Sequence, residues 1–333
     1  MTQTQTRRMK KDTAIQIVLG VFILALLGYD LMAGLSILSR NVSPTFDSNL
    51  FFQLRLPRVL GAVLAGISLA WSGLLMQTLF RNPLAGPFLI GITPGASFGI
   101  AVLTFFGGYY FSDYSGWGVS FQPIAALFGA LMVMGIQLWL HKRLQQLHSL
   151  LLLGLILGYF FGAAVDIIEQ MASAQQVKQF VLWGMGNFDR IEISQLFPFA
   201  AATFFGGAIL WYNRHSFNTY LLGDIHVLSS GKSTHRLRFL LIVSSAVMAA
   251  LATAYCGPVS FVGLIAPHLS RRISGTESHG KNILPTALCG ILLTLTGDLL
   301  SHNLFQNFTL PINAMMAIIG APLVFYIIRK VKY

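Results

Sequence analysis

The sequence predicts an all-α, polytopic membrane protein of ten transmembrane helices with both termini on the cytoplasmic side. Three observations predict it. Of 333 residues, 55% are hydrophobic and only 10% are charged, with mean hydropathy +0.68, whereas a soluble domain carries about 25% charged residues. Apolar runs long enough to cross a bilayer, about 20 residues each, recur along the chain. The 22 Lys and Arg, twice the 11 Asp and Glu, also fall unevenly on alternate loops.

The elements follow in order. Residues 1–13, "MTQTQTRRMKK" onward, are a basic cytoplasmic tail, and residues 14–333 form a single ten-helix transmembrane domain. The first apolar run, 14–38, exceeds a signal h-region of roughly 7–15 residues and lacks a small-residue cleavage site, so it is a retained helix. Further spans are predicted at 59–80, 88–107, 119–140, 147–171, 194–213, 238–256, 260–273, 282–303 and 312–331. The third and fifth carry glycine at every fourth position (Gly91, Gly95, Gly99; Gly154, Gly158, Gly162), a stripe that lets two backbones approach closely. The eighth is short and contains Pro267, so it is expected to be a broken helix enclosed by protein.

With the N-terminus inside, 17 basic residues lie on cytoplasmic segments and 5 outside, accounting for all 22. That asymmetry sets the orientation and explains the excess positive charge without a nucleic-acid partner. "GPFLIGITP" (Gly86–Pro94) echoes "GPVSFVGLIAP" (Gly257–Pro267), and each opens a proline-containing helix. The two start on opposite sides, as expected if helices 2–5 and 7–10 form an inverted repeat, a common transporter design.

Chemistry has few places to sit. The eight His and two Cys (Cys256, Cys289) show no metal-ligand spacing, and HExxH, GxSxG and GxGxxG are absent, so neither a resident metal nor a catalytic residue is expected. Asp166 and Glu169 share a face of the fifth span, and Asp298 lies in the ninth. They are hydrogen-bonded packing residues, pore-lining groups, or the relay of a proton-coupled secondary transporter. Outside, "RLPR" carries Arg55 and Arg58 against the positive-inside trend, either as membrane anchors or as a docking patch for an acidic partner.

The most polar run is "GDIHVLSSGKSTHRLR" (Gly223–Arg238). Its "GKS" imitates the end of a P-loop, but the position five before Gly231 is His226 and no strand precedes it, so a phosphate cradle cannot form. A short cytoplasmic helix over about 223–231 fits better, with Asp224 capping it, Ile225 and Leu228 on one side and Gly231 as its stop. So short a helix is marginal alone and calls for a docking partner.

Four blocks in order carry a resemblance. They are "RLPRVLGAVLAGISLAWSGLLMQTLFRNPLAGPFLIGITPGASFG" (Arg55–Gly99), "WGMGNF" (Trp183–Phe188), "GPVSFVGLIAPHLSRR" (Gly257–Arg272) and "LPINAMMAIIGAPLVFYIIRK" (Leu310–Lys330). The chain resembles the FecCD-like permeases, membrane subunits of ATP-binding-cassette importers for ferric siderophores, haem and vitamin B12. The resemblance implies a bacterial inner-membrane protein, paired with a second copy or a sister permease. It further implies two separate ATPase subunits that hold ATP and Mg, a substrate-binding protein outside, and no cofactor on this chain. Arg55 and Arg58 stand where the family pairs arginines with glutamates of the binding protein, and His302 replaces a further arginine there. Gly223, Asp224, Ile225, Leu228 and Gly231 correspond to the helix that couples to the ATPase, with Lys232 in place of an apolar residue. Leu147, His148 and Ser149 correspond to the cytoplasmic gate. The rival expectation is a proton-coupled secondary transporter using Asp166 and Asp298.

Overall fold

The computed structural model describes residues 3–38, 51–107, 121–141, 147–304 and 309–330. The described residues form thirteen α-helices and no strand. These are α1 (Gln3–Leu38), α2 (Leu56–Phe80), α3 (Ile92–Val102), α4 (Phe121–His141), α5 (Leu147–Gln170), α6 (Ala174–Gly184), α7 (Ile193–Tyr212), α8 (Arg214–Leu221), α9 (Asp224–Ser229), α10 (Thr234–Cys256), α11 (Val262–Ser274), α12 (His279–Asn303) and α13 (Ile312–Lys330).

Every predicted span coincides with a helix. Seven are long and apolar enough to cross a membrane, whereas α3 with its π-turn and α13 are shorter apolar helices and α11 has only 13 residues. Length and composition alone therefore account for seven crossings. The short helices α6 and α8 were not predicted. The first carries a readable signal, the capping box in which Ser173 and Gln176 satisfy each other's backbone N–H groups.

The core is built on α2 and α10, whose membrane stretches are 72% buried against 22% for α5. Small residues explain the close approach. The carbonyl of Gly263 in α11 occupies the place where a side chain on Gly73 of α2 would begin. Pro267 has no N–H to give that carbonyl, so its missing hydrogen bond falls at this contact. The predicted break is displaced as a result: Pro267 lies inside a continuous, largely buried helix, and the interruption precedes it, at Gly257 (φ 72°) and Phe261 (φ 66°). The Gly95–Gly99 stripe packs on Ala125 and Gly129 of α4, but in the fifth span only Gly154 meets a backbone, and Gly162 faces open space.

Helix pairing follows the repeat. α2 packs against α11 and α12, while α10 packs against α3 and α4, so each unit's first helix lies on the other unit's next two. Both echoed segments contain a left-handed residue, Gly91 or Phe261, immediately before the short helix.

Candidate functional site

Two polar clusters lie at opposite ends of α2, on Arg58 and Arg81, separated by about 35 Å of helical rise. Pro57 occupies the first turn of α2, where its missing N–H would be unpaired anyway, and Arg58 follows it. The Arg58 guanidinium lies 2.6 Å from Asp30 of α1, 3.3 Å from Asp298 of α12 and 3.8 Å from Asp189 in the α6–α7 loop. Its side chain is only 14% exposed. His302, one turn beyond Asp298, places Nε2 3.2 Å from Asp189 and Nδ1 2.9 Å from the Asp298 carbonyl. Both neighbours are acceptors, so a doubly protonated ring satisfies both. Burial would raise the Asp189 carboxyl, but the His302 hydrogen bond and the charges of His302 and Arg58 hold it below its ordinary range. Asp298 thus stands within ion-pair distance of Arg58, linking α12 to α2. Arg55 is half-buried on the preceding π-turn, and Arg58 is held by carboxylates from three other segments of the chain.

Three of the four sequence blocks converge at this end. In "WGMGNF", the Asn187 N–H donates to the Cys256 carbonyl at 2.8 Å, and Met185 accepts from the Asn313 N–H of "LPIN" at 3.1 Å. Asn313 in turn accepts from the Ser260 hydroxyl of "GPVSF" at 2.6 Å. Gly186 (φ 70°) and Gly257 (φ 72°) face each other here, and a side chain on Gly257 would begin 2.9 Å from the Gly186 Cα. Glycine is needed for both the conformation and the contact.

At the other end α9 forms where the sequence predicts a short helix. Its cap differs from expectation: Gly223 (φ 116°) is the N-cap, and Asp224 makes no capping hydrogen bond. Instead the Asp224 carboxylate pairs with Arg81, at the end of α2, and with Arg238 of α10 at 2.6 Å. The physical reason is charge: two guanidiniums outcompete a neutral backbone N–H for one carboxylate. Tyr220 of α8 completes the cluster. Arg81 lies over its ring at 4.4 Å, Arg238 Nε donates to its hydroxyl at 3.2 Å, and that hydroxyl donates to the Leu79 carbonyl at 3.2 Å. Burial pushes the phenol pKa up, which keeps it a donor.

The end of α9 is as predicted. Gly231 (φ 71°) donates to the Leu228 carbonyl at 3.0 Å and Lys232 donates to the Val227 carbonyl at 3.1 Å, a Schellman cap. Lys232 contributes its backbone N–H, which any residue but proline supplies. Ser233 then caps α10, accepting from the Arg236 N–H. On α9, Ile225 is 80% and Leu228 64% exposed, while Val227, which sequence reading passed over, is fully buried. The helix therefore holds the bundle by Val227 and Asp224 and presents two apolar side chains outward.

Other predicted residues do not join either cluster. Asp166 is exposed and Glu169 half-buried near the end of α5. Ser149 is half-buried in the first turn of α5, and the Leu147 and His148 side chains lie outside the described residues. Both cysteines are buried and free, and no group of residues suited to a metal ion occurs among the described residues.

Comparison with known proteins decides the family. The FecCD transport family model matches residues 14–330. The chain belongs to the FecCD transport family. It is 31% identical over 328 residues to the hemin transport system permease protein HmuU of Yersinia pestis, covering 93% of each chain. It is 32% identical to the molybdate import system permease protein MolB of Haemophilus influenzae (86% of this chain, 82% of that one). It is 31% identical to the vitamin B12 import system permease protein BtuC of Serratia proteamaculans (84% and 82%). Among solved structures, a metal-chelate-type ABC transporter in an inward-facing conformation superposes with TM-score 0.82 at 29% identity, over 96% of this chain and all of that one. The protein is thus a multi-pass ABC importer permease, a transport subunit and not an enzyme. Molybdate, named for one relative, is a substrate class that the sequence reading had not considered.

Proposed function

We propose that this chain forms the translocation path for a bulky metal chelate (ferric siderophore, haem or cobalamin) across the bacterial inner membrane, energised by a separate ATPase. It works as a pair with a second copy or a sister permease. The observation that carries the reading is α9: a six-residue helix that shows two large apolar side chains, Ile225 and Leu228, and ties its one carboxylate back into the bundle. Isolated helices this short are unstable, and exposed apolar residues on a polar face mark a docking site.

In this account two ATPase copies bind ATP and Mg and receive α9 of each permease. A binding protein docks over Arg55, Arg58 and His302, with the ion pairs of Arg58 and His302 fixing the surface. Residues Leu147 to Ser149 form the inner gate. The near end-to-end match to a hemin permease favours a large chelate over an oxyanion. Uptake into liposomes holding the intact transporter, offered haemin, a ferric hydroxamate, cobalamin and molybdate, tests this. ATP-dependent uptake of one of the first three is expected. Uptake of molybdate alone contradicts the substrate class, and uptake without the ATPase favours a secondary transporter.

A further inference from the structure

The family reading gives α9 a partner but leaves open how its movement enters the membrane. α9 has one buried side chain, Val227, and six residues, so packing alone holds it weakly to the bundle. Among the described residues, the ion-paired attachment of α9 is Asp224. One carboxylate oxygen pairs with Arg81 and the other with Arg238, at 2.6 Å. These arginines stand on different helices: Arg81 ends α2 and Arg238 lies in the second turn of α10. α2 and α10 are the corresponding first helices of the two repeat units and the most buried in the bundle. Tyr220 braces both guanidiniums, one over its ring and one on its hydroxyl. Its carbonyl also accepts from Arg81 Nε at 3.0 Å.

The backbone at Arg81 fits the same role. Its φ of 48° is left-handed, a conformation disfavoured for any residue with a side chain, and glycine would adopt it more easily. A guanidinium is needed at this point, turned back across Tyr220 toward Asp224.

We infer that Asp224, Arg81 and Arg238 form a two-armed clamp that transmits displacement of α9 to α2 and α10 together, so that both repeat units respond to one ATPase movement. The clamp rests on the reading of α9 as the ATPase contact. Arg81 and Arg238 act through Asp224 and are positioning residues. The outward face of Ile225 and Leu228 holds the ATPase without them.

The test uses the intact transporter with its ATPase and binding protein in liposomes, following whichever of haemin, ferric hydroxamate or cobalamin the wild type accumulates. Arg81→Gln and Arg238→Gln should keep the ATPase bound and ATP hydrolysis within about twofold, while uptake per ATP falls about tenfold, an ordinary size for a lost coupling. Adding Asp224→Asn to Arg238→Gln should cost little more, because the three residues act as one unit and their effects do not add. Uptake per ATP at the wild-type ratio in both single variants would overturn the clamp. Loss of the ATPase from either variant would overturn it too, by making the arginines part of the docking contact. If either variant fails to fold, Arg81→Lys with Arg238→Lys decides: the charges remain, and uptake per ATP should recover to at least half. A wild type that retains no ATPase refutes the importer reading itself.

Discussion

Replacing Arg58 with methionine separates two roles for this residue. If Arg58 chiefly meets a docking partner, Arg58→Met weakens docking and leaves the permease as stable as before. The geometry predicts otherwise. Its guanidinium reaches Asp30 and Asp298, whose side chains are 4% and 0% exposed, with Asp189 3.8 Å away. Removing one partner of a buried ion pair costs about 3–5 kcal/mol, because the remaining charge is stranded. With an unfolding entropy of about 2.1 cal/mol/K per residue, that corresponds to a Tm loss of roughly 4–7 °C for a chain of this length. Thermal unfolding of purified protein measures it, and Arg58→Met with Asp298→Asn should recover part of the loss by removing the stranded charge. A Tm within about 1 °C of wild type for Arg58→Met would refute the hub; that is well below the shift expected from a lost buried pair.

Further expectations concern packing and pH. Gly73→Ala should destabilise by about 1–3 kcal/mol, since the new methyl would overlap the Gly263 carbonyl. Gly162→Ala, with open space around it, should be neutral or stabilising by up to about 1 kcal/mol through helix propensity; equal effects in Tm would contradict the packing. Asp189 has a lowered folded pKa, so its stabilisation is complete above the ordinary value of 3.8 and is lost as pH falls through the lower folded value. Asp189→Asn should therefore lower Tm at pH 7 and converge with wild type as the pH falls below the ordinary carboxylate range; a gap that widens on acidification would reverse the sign.

What was legible in the sequence follows from the range of the interactions. The spans, their order and the stop at Gly231 rest on local composition and on one residue's backbone freedom, and all can be read along the chain. The "SSGKST" run is instructive. Ser230 and Gly231 end one helix, Lys232 supplies the second cap N–H, and Ser233 starts the next. A helix-to-helix turn and the tail of a P-loop thus share small, hydroxylated residues for different reasons. The ion pair that draws Asp224 away from the cap is not legible locally, because Arg81 lies 143 residues away in sequence. The same holds for Arg58, whose partners come from α1, α12 and a loop, so that none of its ion pairs can be read from "RLPR" itself. The continuity of the helix through Pro267 cannot be read along the chain, because the Gly263 carbonyl that proline leaves without its N–H lies against Gly73 of another helix. The capping box of α6 was available locally in Ser173 and Gln176.

The central claim is that α9 is the ATPase contact of an importer permease, and a single cross-link tests it most directly. Leu228 is 64% exposed and both native cysteines are buried, so Leu228→Cys gives the chain one reactive thiol. In membranes containing the intact transporter, a short thiol-to-amine cross-linker should join residue 228 to the ATPase subunit, with a yield that changes when ATP is trapped. Cross-linking to lipid-facing proteins or to nothing, while the ATPase remains bound to the complex, would contradict the account.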